Sequence, residues 1–598
     1  MPFGYNGKIL HVDLTQGTWR IEEPDEKWYR TYMGGSNFIS YYLLKELPAG
    51  IDPLSAENIL VFACSVVTGA PLSGFNRYTV GAKSPLTGGF AETEAGGYWG
   101  PEFKFAGFDA LIVHGRAAKP VYLWIKDGAV EIRDAAGLWG LDNWQTLERL
   151  EAELEDTRIR VVSIGPAGER LVRYACLQND LEHYNGRTGM GAVMGSKNLK
   201  AVAVRGTQKL QMADPDKVKE IARWHNERIK THPPNVGLTK FGTSGLVKGI
   251  NDGGFLPTRN FKEGVFEGAE KLAAPAYHET IFHSNSTCWA CAVRCKRRVE
   301  LAHDKYPLDR RFGGAEYEAL AALGSMLAID NLPAVARGNQ ICNLQGIDVV
   351  STGAVIAFAM ECFENGILTE ADTGGRTLRY GDADAMIWLI EQIANRSGLG
   401  DVLAEGVKRA SDKIGRGSEK FALHIKGQEL AFHDGRGKTG MAMGFALSHR
   451  CGSHRNPPRR RVSGRGGEQA LPHGPLRPGR SVEDRRSQDA LFLHRSEGLG
   501  DQQYPQPLQL HLRADPRHDF RPAGRGGAGR NRMGCEPLRA AAGDRTLQCH
   551  GPDVQQPARV HPQGRHAHLP LVRGDARRTP EGQAHRPGHL PGSCGALL

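Results

Sequence analysis

Apolar and polar positions change rhythm twice along this chain. Over the first two hundred residues the pattern is that of strands and turns. Residues 8–14 alternate, residues 58–67 form an apolar run, and 121–125 and 129–133 flank Asp127-Gly128, a two-residue hairpin signal. Glycines punctuate the rest, at Gly34-Gly35, Gly88-Gly89, Gly96-Gly97 and from Gly186 to Gly195. They either supply positive φ at turns or let backbone approach a large flat ligand, and the pattern leaves both open. At Asp214-Pro215 the period lengthens. An N-cap Asp followed by Pro opens a helix to about Lys230. Helical spacing returns at residues 316–327, 332–344, 351–364 (closed by Gly366), 383–395 and 399–413, and stops near Ser448. The predicted fold class is α+β. A β-rich domain (1–207) is followed by a helical domain (208–417) and the start of a third, also helical (418–455).

Composition sets the remaining residues apart. Across 598 residues the formal charge is +10, but residues 456–598 alone hold 23 Arg against 13 Asp and Glu, with no Lys, Ile or Trp. That excess of ten is the whole net charge, so residues 1–455 are formally neutral. A specific nucleic-acid interface is therefore not predicted, since the charge lies in one Arg/Pro/Gly-rich tail rather than on a folded face. No apolar run reaches the ~18 residues of a membrane span, and the start has no charged-then-apolar signal region. The chain is expected in the cytoplasm, away from membranes.

Eleven cysteines, an odd set with one tight cluster, read as reduced thiols plus a metal site rather than a disulfide framework. The cluster is Cys288-Trp-Ala-Cys291-Ala-Val-Arg-Cys295, followed by Lys296, Arg297 and Arg298. C-x2-C-x3-C spacing can hold three irons of a [4Fe–4S] cubane, with the fourth ligand arriving from elsewhere, and the basic residues would offset its negative charge. The alternatives are a zinc knuckle or three unrelated buried cysteines. Zinc prefers paired C-x2-C units, and no second pair occurs here.

Several motifs in order resemble one family. Ser84-Pro-Leu-Thr-Gly88, Gly96-Gly97-Tyr-Trp-Gly100, Lys104-x-Ala-Gly-Phe-Asp109 and Ile164-Gly-Pro-Ala-Gly-Glu169 are similar to segments of the aldehyde ferredoxin oxidoreductases, the tungsten-pterin enzymes. So are Gly186-Arg187-x-Gly-x-Gly-Ala-Val-Met-Gly-Ser-Lys-Asn-Leu-Lys200, the cysteine triad, Glu316-Tyr-Glu318, Cys342-Asn-Leu-Gln-Gly-Ile-Asp348 and Ser351-Thr-Gly353. The resemblance runs from about residue 4 to 450. It implies a β domain lying across two pyranopterins that chelate tungsten or molybdenum, closed over by helical domains, with the [4Fe–4S] cluster beside one pterin and magnesium as a further ion. It places Arg77, Gly96, Gly97, Arg187 and a turn at 189–195 (with Gly189 and Gly191) at pterin and phosphate, where backbone N–H groups and Arg bind anions. Asn343, Gly346, Ile347 and Asp348 stand for the family pattern Asp-x-x-Gly-Leu-Asp, with Asn in place of the leading Asp. Cys288, Cys291 and Cys295 would ligate iron. A carboxylate near the metal would accept the proton released in aldehyde oxidation: Glu318 first, Glu316 second, with His454 nearby.

The implied activity is aldehyde oxidation to carboxylate, with electrons passing through the cluster to ferredoxin, in a homodimer or a subunit of a larger complex. The alternatives are the tungsten subunit of a class II aromatic acyl-CoA reductase and an inactive product with a basic tail. The last arises because the family pattern collapses after Ser448. Read one base later, the codons of residues 501–512 can encode Ile-Ser-Asn-Thr-Leu-Asn-Leu-Cys-Asn-Phe-Thr, which resembles the missing second pterin motif and fourth cluster cysteine. A shifted reading frame entered between about Ser448 and Arg459 is therefore expected, with a disordered or non-native region after it.

Overall fold

The structure is a computed structural model that describes residues 3–448. The expectations for His454 and for the tail lie outside the described residues. Within them the α+β class holds: two sheets come first and a helical region follows.

Six strands form the first sheet: β1 Ile9–Asp13, β2 Thr18–Glu22, β3 Leu60–Cys64, β4 Tyr78–Lys83, β5 Phe90–Ala95 and β6 Ala110–His114. Their order is β2-β1-β6-β3-β4-β5, with β1 parallel to β6 and the other pairs antiparallel. The second sheet contains β7 Val121–Lys126, β8 Ala129–Asp134, β9 Arg160–Ser163, β10 Leu177–Asn179, β11 His183–Asn185 and β12 Leu199–Arg205, in the order β11-β10-β9-β12-β7-β8. The predicted hairpin closes β7 and β8 with Asp127 and Gly128 both at positive φ (47° and 94°). That is the backbone a two-residue turn between twisted strands needs.

The two sheets face each other. Leu10, Val12, Phe62, Val80 and Leu111 of the first pack with Leu123, Ile125, Val162, Val202 and Val204 of the second. Each outer face is covered by a helix. Ser36–Glu46 lies on Ile9, Val61, Ala63 and Ile112, and Asn143–Glu153 lies on Tyr122, Trp124, Val161 and Ala201. The apolar run at 58–67 thus contains a shorter central strand that is buried on both sides. The alternation at 8–14 carries a second meaning too, because both faces of β1 are covered.

The domain therefore holds helices that its strand-and-turn reading did not anticipate. Residues 189–195 are a further correction. They form a cap and then a helix, Met190–Ser196, instead of a turn. Beyond residue 206, Asp214 caps the helix Pro215–Ile229 as predicted, accepting from Lys217 N–H at 2.8 Å. One large apolar core joins the helices Tyr317–Leu323, Leu332–Gln345, Val349–Glu364 and Ala383–Asn395. Two predicted helices are broken. Residues 316–327 divide at Gly324 into Tyr317–Leu323 and the 3-10 turn Ser325–Leu327, and 399–413 divide at Gly406 (φ 84°) into Leu399–Leu403 and Val407–Ile414. Among the described residues no single helix is long and apolar enough to cross a membrane.

Candidate functional site

β13 (Phe282–Ser286) and β14 (Lys296–Val299) pair antiparallel, and the loop between them carries Cys288, Cys291 and Cys295. Left-handed backbone at Ala290 and Arg294 winds this loop tightly. Thr287 donates its hydroxyl to the Cys291 carbonyl at 2.7 Å, and Cys291 N–H reaches the Cys288 carbonyl at 3.2 Å. Three contacts dock the loop on the N-terminal domain. Trp289 N–H donates to the Gly97 carbonyl (3.1 Å), Ala292 N–H to Ser73 Oγ (2.9 Å), and Asn76 Nδ2 to the Trp289 carbonyl (3.1 Å).

The glycine pair after β5 lies against this loop. A Cβ on Gly96 would stand 3.0 Å from Cys288 Sγ; one on Gly97 (φ 99°) would strike Asn179 Oδ1 at 2.5 Å and the His183 ring at 3.0 Å. His183 Nε2 is itself 3.3 Å from Cys288 Sγ. Burial, with Lys296 and Arg77 close by, holds this imidazole well below its ordinary range, so it is neutral. Burial raises the Cys288 thiol, and burial together with the Glu316 carboxylate pushes Cys295 up to about 11. Both would stay protonated until an incoming metal bound the sulfur and displaced the proton to solvent. Arg77 pairs with Glu94 at 3.5 Å and its charge reaches all three thiols.

Glu316 and Glu318 meet different fates. Glu316 accepts from Lys296 Nζ at 2.8 Å and from Thr243 Oγ1 at 2.5 Å. Burial works against its charge, yet the Lys296 ammonium and these hydrogen bonds hold it below the usual glutamate range. A carboxylate so committed is a weaker proton acceptor than a free one. Its work is to anchor Lys296 beside Cys295. Glu318 accepts the Phe432 N–H at 3.0 Å and lies 3.2 Å from His433 Nε2.

A third cluster surrounds Asp348. Asp348 caps the helix Val349–Glu364, accepting from Val350 N–H at 3.0 Å and from Ser351 Oγ at 3.0 Å, and Arg187 Nε approaches it at 3.3 Å. Arg187 also donates to the Glu429 carbonyl at 2.6 Å, while Ser351 Oγ lies 2.7 Å from Glu429 Oε2. Burial raises both carboxyls, opposed at each by the Arg187 charge.

Comparison with known proteins gives this arrangement a family. Residues 9–206 match the profile "Aldehyde ferredoxin oxidoreductase, N-terminal domain", and residues 220–487 match "Aldehyde ferredoxin oxidoreductase, domains 2 & 3". A tungsten-containing aldehyde ferredoxin oxidoreductase of Pyrococcus abyssi is 42% identical over 456 residues, 76% of this chain and 74% of that protein. The chain belongs to the aldehyde ferredoxin oxidoreductase family. The Thermococcus kodakarensis protein of the same description is 39% identical, again over 76% of this chain and 74% of its own length. The active-site complex BamBC of benzoyl coenzyme A reductase shares the fold with a TM-score of 0.68 and 28% identity, covering 82% of this chain and 73% of that one.

The residues present fit the family's cofactors at one corner. Gly96 and Gly97 lie where a side chain would collide with Cys288, Asn179 and His183, and Asn179 Oδ1 and His183 Nδ1 beside them are buried without a hydrogen-bond partner among the described residues. A polar heterocycle would satisfy such atoms. Among the described residues no three His, Cys, Asp or Glu side chains converge on a single-ion site. A cubane spreads its thiolates over separate irons, so the cysteine loop need not form one. Cys64, Cys342 and Cys362 are packed within apolar clusters, away from this role.

Other predicted cofactor residues are occupied by the protein itself. A Cβ on Gly189 would lie 2.1 Å from the Arg173 carbonyl oxygen, and one on Gly191 2.4 Å from that of Cys176. These glycines let the helix Met190–Ser196 press onto neighbouring backbone. Gly346 (φ 72°) ends the helix Leu332–Gln345 against Gly165, while Ile347 is buried and bridges Ala175. Asn343, also buried, offers its carbonyl to Asn143 Nδ2 at 2.9 Å. Sequence reasoning missed His183, Glu429 and His433, whose partners lie far away along the chain.

Proposed function

We propose that this chain oxidises aldehydes to carboxylates, converting an aldehyde and water to a carboxylate, three protons and two electrons. The observation that carries it is the seating of the Cys288–Cys291–Cys295 loop on Gly96 and Gly97, in a chain 42% identical to a tungsten-containing aldehyde ferredoxin oxidoreductase. When bound, a tungsten bis-pyranopterin would supply the oxygen-atom and two-electron chemistry. Gly96 and Gly97 would give it close backbone approach, and Arg77 would offset its negative charge. Cys288, Cys291 and Cys295 hold a [4Fe–4S] cluster, with Lys296 and Arg77 offsetting its charge. Glu318, fixed by the Phe432 amide, accepts the proton, while Arg187 and Asp348 brace the second half of the site. The electrons leave for ferredoxin, and the enzyme works in the cytoplasm.

Anaerobic purification tests this reading. Tungsten and about four irons per chain are expected, together with aldehyde-dependent reduction of a viologen dye; a colourless, metal-free protein overturns it. The likeness to BamBC favours a second reading, low-potential reduction of an aromatic acyl-CoA. Paired assays with aldehydes and with aryl-CoA thioesters separate the two.

A further inference from the structure

The segment after the short strand Gln428–Glu429 crosses the start of the helix Tyr317–Leu323 and meets it four times. Phe432 N–H donates to Glu318 Oε2 at 3.0 Å, and the Tyr317 hydroxyl donates to the Phe432 carbonyl at 2.6 Å. His433 Nε2 stands 3.2 Å from Glu318 Oε1, and its ring stacks on that of Tyr317 with centroids 5.0 Å apart. At 4% exposure His433 is sealed in the interior.

We propose that His433 is the positioning residue of Glu318. Its Nε2 stands 3.2 Å from one carboxylate oxygen while the Phe432 amide donates to the other, so the carboxylate is held between an imidazole and an amide of one segment. This rests on the reading of Glu318 as proton acceptor. A free glutamate side chain samples many rotamers, and holding it in one removes that freedom before substrate arrives. Tyr317 serves the same end indirectly. Its hydroxyl fixes the carbonyl of the residue whose amide donates to Glu318, and its ring stacks on the imidazole. The helix and the crossing segment are thereby clamped at the one carboxylate the chemistry needs.

The test compares His433→Leu with His433→Gln in the full chain, assayed with an aldehyde and a viologen acceptor. Leu removes the donor and keeps the bulk, whereas the Gln amide can donate from nearly the same place. The expected result for H433L is a kcat lower by about 10- to 100-fold, with KM within about twofold and tungsten content unchanged, and substantial recovery in H433Q. Equal losses in both variants, or tungsten lost in step with kcat, overturn the proposal. Glu318→Gln separates the two ideas, since full activity there refutes Glu318 as acceptor whatever His433 does. If the parent enzyme oxidises no aldehyde, the crystal structure of H433L decides. A Glu318 carboxylate that has left the Phe432 amide supports positioning, and one that has not moved sinks it.

Discussion

Replacing Lys104 with Met would strike the ion pair that ties the N-terminal turn to the first sheet. Lys104 Nζ lies 2.7 Å from Asp109 Oδ1, with side chains 0% and 1% exposed, and also donates to the Gly4 carbonyl at 2.6 Å. Asp109 in turn accepts the N–H groups of Asn6 (3.0 Å) and Gly7 (2.8 Å). Met fills much of the same volume, so the loss is chiefly electrostatic: a buried carboxylate keeps two amides and loses the cation paired with it. Removing one partner of such a pair costs about 3–5 kcal/mol. Asp109→Asn should cost a comparable amount by leaving the ammonium without its counter-charge. In the double variant neither charge is orphaned, so its loss should fall short of the sum by about 1–3 kcal/mol. The chain has several cooperative parts, so a single melting temperature is a poor readout. Hydrogen exchange in urea, read by mass spectrometry on peptides covering residues 4–14 and 99–114, reports the local opening free energy. A K104M loss below about 1 kcal/mol, or strictly additive single losses, would refute the reasoning.

The same geometry yields three further outcomes. Gly191→Ala should lower stability by about 1–3 kcal/mol, because its Cβ would lie 2.4 Å from the Cys176 carbonyl oxygen; Gly137→Ala, with nothing within 4 Å, is the neutral control in the same thermal melts. Lys296→Met removes a cation beside Cys295 and should make the cluster potential more negative, on the order of tens of millivolts, in an EPR-monitored titration; an unchanged potential with an intact cluster counts against the role given to Lys296. Burial raises Asp180 to about 7, with Arg160 opposing, and its Oδ2 lacks a partner. Its folded form therefore prefers the proton, and the wild type loses stability as pH rises from the ordinary carboxylate range towards 7. Asp180→Asn should match the wild type near pH 4 and melt higher near pH 8; identical melting at both would be contrary evidence.

Where a signal is local, the chain could be read directly. Asp127-Gly128 declared its hairpin because two successive positive φ values are cheap for only a few residue types. The cysteine loop was visible in advance because its three cysteines fall within eight residues. The helix Asn143–Glu153 also carried a local signal that was passed over, the capping box between Asp142 and Gln145. Ser36–Glu46 had no such mark, since its N-cap is Gly35 and makes no side-chain bond. The glycines at 189–195 lie in a helix and its cap rather than a turn, and their purpose was ambiguous in the sequence for a physical reason. A residue without a Cβ is needed equally where a ligand approaches backbone and where backbone approaches backbone, and only the carbonyls of Arg173 and Cys176 decide between them.

The two glutamates show why the site itself stays half hidden. Glu316 and Glu318 are two positions apart at the start of one helix, so they point to different sides of it. One side brings Lys296 and Thr243, which commit the carboxylate; the other brings the Phe432 amide, which donates to it, and the His433 ring beside it. Neither environment is written within a helical turn of the glutamates. His433 lies 115 residues from Glu318, and His183 lies 105 residues from Cys288. A lone histidine in a sequence is indistinguishable from a core histidine until a fold supplies its partner. Chemistry that needs several ligands on one loop is therefore legible in advance, and chemistry that needs one well-placed donor is not. The positioning of Glu318 belongs to the second kind, which is why the Leu and Gln variants of His433 probe what the motifs alone could not reach.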